Sequence, residues 1–185
     1  MHLLRLLRIF IPLLLVAAIV AGIVVVLTSR NELQSSRRDV EDTWTPLRRD
    51  LDQRYKTLTI ANDAVKSVPG PLHAISTKVT SAYSDWGRLE RQNGSVSSQV
   101  NAANTLESLG RRLVLAARAA PRLAGRTTAL AAVAAYAALK PPSAADQYNN
   151  AVDHFEKERN RPARSLAAGI LGYKPIPAYA VPPSS

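Results

Sequence analysis

The chain has 185 residues, with 24 Lys and Arg against 14 Asp and Glu, a net charge of +10 and no cysteine. The missing cysteine excludes disulfides, thiolate zinc sites and cysteine nucleophiles. The positive balance suits anionic lipid headgroups or another acidic surface.

Residues 1–8 form a short basic tail carrying Arg5 and Arg8, and residues 9–28 read IFIPLLLVAAIVAGIVVVLT without a charge. As a helix this stretch is roughly 30 Å long, the thickness of a bilayer's hydrocarbon. A cleaved signal peptide has an apolar run of only about 7–15 residues and ends at small residues. Here the run is longer, and Ser29-Arg30-Asn31-Glu32 follows it without an A-x-A pattern upstream. An uncleaved single-pass anchor in the cell membrane is therefore expected. Pro12 falls in its first turn, where a missing N–H costs least. Ala17, Ala18, Ala21 and Gly22 give two small-xxx-small pairs, a spacing that permits weak self-association through the anchor. Arg5 and Arg8 on one flank balance Arg30, Arg37 and Arg38 on the other, so positive charge alone sets no orientation. A short basic tail ahead of an uncleaved span favours the large domain on the extracytoplasmic side.

Everything after the anchor has helical period. Leu33, Val40 and Leu47 interleave with Trp44, Leu51, Leu58 and Val65 at spacings of three and four, one face of a helix whose other faces are charged. Pro46 interrupts the pattern but not its register, which predicts a kinked helix; a fresh start with Thr45 as cap and Pro46 at the first position is the alternative. No Pro or Gly lies between Thr28 and Glu41, so this helix can continue the anchor without a break. Val68-Pro69-Gly70-Pro71 ends it. A second helix is expected over Leu72–Leu89 and a third over Val96–Ala119, with Val100, Ala103, Leu106, Leu113 and Ala117 inward. An alanine-rich helical stretch follows over Leu123–Leu139. A last helix starts near Ser143, where Ser143 and Asp146 resemble a capping box. No period-two run occurs, so no sheet is expected. The fold class is all-α: a transmembrane helix followed by an antiparallel bundle of about four to five helices over 29–172. Pro175, Pro177, Pro182 and Pro183 predict an extended, mobile tail over 173–185.

The carboxy-terminal stretch DQYNNAVDHFEKERNRPARSLAAGILGYKPIPAY resembles the closing motif of the LemA family. Tyr148, Asn149, Val152, Phe155, Pro162, Ala168, Gly169, Gly172 and Tyr173 take the motif's places. LESLGRRLVLAARAAPRL is similar to the family's leucine-rich helix, with Pro121 and Leu123 at its Pro-x-Leu. VEDTWTPLRRDLDQRY is similar to its first helix, with Trp44 and the pair Arg54-Tyr55. The chain departs from the family at Thr59–Asp63, Ala120, Arg118, Phe155-Glu156, Arg161 and Pro46, and so resembles a divergent member. The resemblance implies a membrane-anchored antiparallel bundle and no established enzymatic activity. The motif positions themselves have the character of structural residues.

Candidate chemistry is sparse. His2 sits beside the membrane, and His73 and His154 stand apart in sequence from any matched base, nucleophile and oxyanion donor. Asp153 and His154 are adjacent on one helix and point in different directions. No Gly-rich phosphate loop, HExxH or GxSxG occurs. No catalytic, metal or cofactor residues are assigned, and no cofactor is expected. Arg111, Arg112, Arg118, Arg122 and Arg126 fall in a stretch without any acid between Glu107 and Asp146. They read first as a solvated helix face, and otherwise as an anionic-surface patch. Tyr148 and Asn149 read as packing residues, or as a grip on a partner's main chain. The expected function is a non-enzymatic, membrane-anchored scaffold with the lipid bilayer and a protein as partners, and no nucleic acid. Two alternatives stand: a membrane-tethered enzyme assembled by tertiary proximity, and a binder of anionic lipid or envelope polymer.

Overall fold

The computed structural model describes residues 2–180, with side chains from Val20 onward apart from those at 21, 25 and 163. Six helices follow one another: α1 (His2–Val65), α2 (Pro71–Arg91), α3 (Val96–Arg118), α4 (Thr127–Ala137), α5 (Ala145–Arg159) and α6 (Pro162–Leu171). Among the described residues there is no strand. The chain divides into two compact units, one of residues up to 39 with 153–175, the other of 40–152 with 176 onward. Among the described residues no helix is long and apolar enough to cross a membrane. The expected basic tail and most of the expected anchor, with Pro12, Ala17, Ala18 and Ala21, lie outside the described side chains.

The helix ends follow local chemistry. Gly70 stands at φ 100°, a region costly to any residue with a Cβ, and Pro71 then occupies the first position of α2. Ser95 caps α3 by accepting from the Ser98 amide at 3.2 Å. Gly172, at φ 73°, closes α6 in the left-handed conformation, and the Tyr173 amide donates back to Ala168 O at 2.9 Å. α1 passes through Pro46 as one element, as the unbroken register predicts. Pro46 is exposed while Trp44 and Leu47 are buried. The lost main-chain bond therefore falls on the solvent side, and the buried neighbours hold the helix across it.

Within the second unit the paired residues fix the direction of every helix. Trp44 meets Gln99 and Arg54 meets Glu107, so α1 and α3 run the same way. Asn62 meets Thr80 and Asp52 meets Trp86, so α2 runs against α1. Arg126 reaches Ser67 and Arg54 reaches Leu139, so α4 also opposes α1; α5 continues in that direction, with Ser143 at Asp50 and Tyr148 at Trp44. The result is an up-down-up-down bundle whose fourth rod is α4 and α5 end to end, broken at Pro141-Pro142. Its core carries a chain of rings. Trp44 lies edge-on to Trp86 at 6.3 Å, Trp86 edge-on to Tyr55 at 5.3 Å, and Trp44 against Tyr148 at 5.4 Å. Each polar handle is used: Trp44 Nε1 donates to Gln99 Oε1 (2.8 Å), Trp86 Nε1 to Asp52 Oδ1 (3.0 Å) and Tyr55 Oη to Ala103 O (3.1 Å).

Three expectations are corrected. The alanine-rich stretch is not helical from Leu123: a 3-10 turn at Pro121–Leu123 and Gly125 at φ 86° delay α4 to Thr127. Ser143 does not cap α5; its hydroxyl donates to Asp50 Oδ2 at 3.1 Å. Residues 176–180 are extended, as their prolines require, but are not free. Ile176 and Tyr179 are buried, and two asparagines hold the main chain between them.

In the first unit, Phe155 packs edge-on to Tyr173 with ring centroids 6.5 Å apart, and the Arg37 guanidinium sits 5.8 Å above the Tyr173 ring. α6 turns Ala167 and Ala168 inward and is anchored by Arg164, which pairs with both Glu32 and Glu158. α6 is a separate helix beyond the last one expected from the sequence. Pro162 at its first position and Gly172 at its end are the local signals that define it.

Candidate functional site

Glu107 is the one acid on the inward face of α3, and it is 0 % exposed. Arg54 of α1 meets it there, its Nε and Nη2 donating to the two carboxylate oxygens at 2.8 and 3.2 Å. Arg54 Nη1 donates onward to the carbonyls of Leu139 and Lys140 at 3.2 and 3.3 Å, where α4 gives way to α5. The Tyr136 ring of α4 lies under the guanidinium, 5.1 Å from its centre. A planar donor fork is thus saturated by one carboxylate, two carbonyls and a ring face.

The electrostatics follow from burial. Burial acts to lower the Arg54 pKa, but the hydrogen bond and charge of Glu107 outweigh it and the net shift is upward. Burial, then the Glu107 charge, pushes the Tyr136 and Tyr179 phenols well up; the same two causes raise Tyr55. The Tyr136 and Tyr179 hydroxyls are buried without a hydrogen bond of ordinary geometry. Arg54 and Glu107 are paired, and the three phenols keep their protons beyond the usual phenol range. The hub joins α1, α3, the α4–α5 break and the tail.

The tail is held by a device of its own. Asn149 Nδ2 donates to Tyr179 O at 3.0 Å, and the Tyr179 amide donates to Asn149 Oδ1 at 2.9 Å. Asn104 does the same one step away, to Ala178 O (3.0 Å) and from the Ala180 amide (2.7 Å). Tyr148 Oη donates to Pro177 O at 3.0 Å. Tyr148 and Asn149 thus sit as the packing reading expects, Tyr148 buried and Asn149 bonded to the protein's own tail. Of the other motif positions, Trp44, Arg54, Tyr55, Val152 and Phe155 are buried. Pro121 and Pro162 start helical turns, Gly172 ends one, and Tyr173 lies between Phe155 and Arg37. Gly169 meets nothing that would exclude a side chain.

Arg118, Arg122 and Arg126 lie around the turn from α3 to α4, and Arg111 and Arg112 further back along α3 near Tyr136. Arg111, Arg112 and Arg118 are exposed on α3, Arg122 in the 3-10 turn and Arg126 just before α4. Among the described residues none of the five pairs with a carboxylate; Arg126 Nη1 donates to Ser67 Oγ at 3.3 Å. Beside them an open groove of about 470 Å³ runs between Val68–Leu72 and Ala116–Arg122, walled by Val, Pro, Leu and Ala.

Of the histidines with described side chains, His73 belongs to the second unit and His154 to the first; His2 lies outside the described side chains. His73 is exposed, its Nδ1 bonded to Lys66 O at 2.9 Å, where it closes the end of α1. His154 is exposed beside a shallow polar cleft of about 300 Å³ with Glu32, Asp39 and Glu158. Glu158 pairs with Arg161 (2.8 Å) and Arg164, and Glu32 pairs with Arg164. A second polar cleft of about 430 Å³ holds Asp52, Lys56, Glu90 and Arg91. Burial, then the Asp52 carboxylate, raises the Glu90 pKa. Among the described residues no group of His, Asp and Glu can hold a metal ion.

Glu107, Tyr136 and Tyr179 are the residues that sequence reasoning missed. Glu107 carried a signal, because an acid four residues after Ala103 and three before Gly110 falls in the inward register of α3 and demands a buried cation. Tyr136 and Tyr179 carried none. Compared with protein-family models, curated proteins and solved structures, the chain matches none.

Proposed function

We propose that this chain is a single-pass, membrane-anchored scaffold of the LemA type without enzymatic activity, held by residues 9–28 and presenting the arginine-rich end of its second unit to a protein partner. One observation carries the reading: the buried ion pair of the second unit is directed at the protein's own groups. Arg54, Glu107 and two main-chain carbonyls bond one another inside the bundle, so the charges of this hub hold helices together. The apolar stretch and the amphipathic stretch after it belong to one helix, α1. The resemblance to the LemA family, anchored at Trp44, Arg54-Tyr55 and Tyr148-Asn149, supports the same layout. The partner surface combines an apolar groove at Val68–Leu72 with Arg118, Arg122 and Arg126, which suits an acidic, amphipathic segment of a protein. The domain is assigned to the extracytoplasmic side.

The test is crosslinking in native membranes from a photo-reactive residue placed at Ala119, followed by identification of the attached species. A protein adduct that disappears with Arg118→Ala/Arg122→Ala/Arg126→Ala is expected. Adducts only with lipid, or an adduct unaffected by the triple variant, would reject this surface.

A further inference from the structure

Residues 176–180 are held in the second unit the way a receptor holds a peptide. The five hydrogen bonds from Asn104, Tyr148 and Asn149 all end on main-chain atoms of the tail. In an extended chain the N–H and C=O of one residue point to one edge, and those of its neighbours to the other. Asn149 of α5 takes the N–H and C=O of Tyr179 itself, whereas Asn104 of α3 takes the C=O of Ala178 and the N–H of Ala180. Both edges of the strand are thus read at one position, from two helices, by amide groups that match any extended chain with an N–H at those places. Main-chain bonds of this kind supply affinity and leave specificity to the side chains that enter the groove.

Ile176 and Tyr179 are the side chains that enter it; Ala178 and Ala180 face solvent. The strand therefore lies on the outside of the bundle. The pairs that set the helix directions, Trp44–Gln99, Asn62–Thr80 and Arg54–Glu107, involve none of it. Its fit is also imperfect. The Tyr179 ring ends beside Glu107 and Tyr136, and its hydroxyl is buried without a hydrogen bond of ordinary geometry. A buried donor left in this way costs free energy that a ring without a hydroxyl does not spend. A segment of the same shape with phenylalanine in that place is therefore the better ligand of the groove.

We infer that the groove between α3 and α5 is a binding site for an extended segment of a partner protein, with an aliphatic residue and, three positions on, a phenylalanine, and that residues 176–180 close this site in cis until such a segment displaces them. Pro175 and Pro177 keep the released tail extended, so it reseats at low entropic cost. A tethered occupant is present at high effective concentration, and the apparent affinity for a partner falls with the fraction of molecules whose groove is open. The site shares no residue with the groove at Val68–Leu72 and does not depend on the anchor.

The probe is a fluorescent peptide with the sequence of residues 174–180 carrying Tyr179→Phe, and the unmodified peptide is its comparison. Anisotropy is read on the full-length protein in micelles. The chain with Tyr179→Ala is expected to bind the Phe peptide at least about tenfold more tightly than the unaltered chain does, and to bind the unmodified peptide less tightly. Adding Asn104→Ala and Asn149→Ala should abolish binding. Equal affinity of the first two chains, or binding that survives loss of both asparagines, refutes the site. Where Tyr179→Ala unfolds the bundle, as read from Trp44 and Trp86 fluorescence, the unaltered chain decides. Saturating Phe peptide should then accelerate amide exchange at Tyr179 and Ala180, and unchanged exchange overturns the displacement. A preference for the unmodified peptide, with differently tagged copies that co-purify only when residues 176–185 are present, makes the occupant a second copy and overturns the partner.

Discussion

The Arg54 guanidinium and the Glu107 carboxylate meet edge to edge inside the bundle, with two parallel N–H···O bonds at 2.8 and 3.2 Å and almost no solvent contact (8 % and 0 %). A pair so placed contributes little beyond what an apolar pair would, but it cannot lose one member. Glu107→Ala is expected to cost about 3–5 kcal/mol, because a buried guanidinium is left without a counter-charge. Arg54→Met combined with Glu107→Leu should recover most of that loss. Urea unfolding of the full chain in micelles, followed by the fluorescence of the buried Trp44 and Trp86, measures both. A double variant no better than the single would show that the pair itself, and not the uncompensated charge, carries the stability.

The tail should be separable from the bundle. Asn149→Ala removes two hydrogen bonds to the Tyr179 main chain, each worth about 1 kcal/mol net. The expected result is faster amide exchange at Tyr179 and Ala180 with the amides of α2 unchanged. Uniformly faster exchange would mean that the tail and the core unfold as one unit.

Gly110 faces the Tyr136 ring, and a Cβ there would fall 2.8 Å from Cζ and closer still to the hydroxyl. Gly110→Ala gains about 1 kcal/mol of helix propensity but overpacks at a cost of about 1–3 kcal/mol. The net expectation is a lower midpoint, and a partial recovery when Tyr136→Phe relieves the hydroxyl. An unchanged midpoint would show that the ring can withdraw without losing its place under Arg54.

Pro46 offers the opposite sign. It is exposed and interior to α1, so Pro46→Ala restores a main-chain donor and should raise stability by up to about 3 kcal/mol. Thermal melts read this directly. A loss of stability would mean that the bend imposed by the proline is needed for packing at Trp44 and Leu47.

Stability should fall steeply in alkali. Burial, then the Glu107 charge, raises the phenols of Tyr55, Tyr136 and Tyr179 above the ordinary value near 10. Above pH 10 the unfolded chain releases these protons while the folded chain keeps them. The unfolded state then binds fewer protons, and stability drops as pH rises. Below pH 10 the contribution is complete and flat. Denaturant midpoints from pH 8 to 11, with phenolate absorbance, check this; Tyr179→Phe should flatten the slope.

The heptad rows were enough to place α1, α2 and α3 and most of their buried faces. Val100, Ala103, Leu106, Leu113 and Ala117 are all inside as their spacing requires, because a single helix period maps directly onto one face. Pro and Gly marked the breaks at 69–71, 93–94 and 141–142 for equally local reasons, in φ limits and missing donors. What the local pattern could not contain is pairing at a distance. That Glu107 meets Arg54, that Asn104 and Asn149 take the tail's main chain, and that α4 and α5 act as one rod depend on which helices become neighbours. Neighbours are set by the packing of the entire core, and each of these partners lies about thirty or more residues from its mate in sequence.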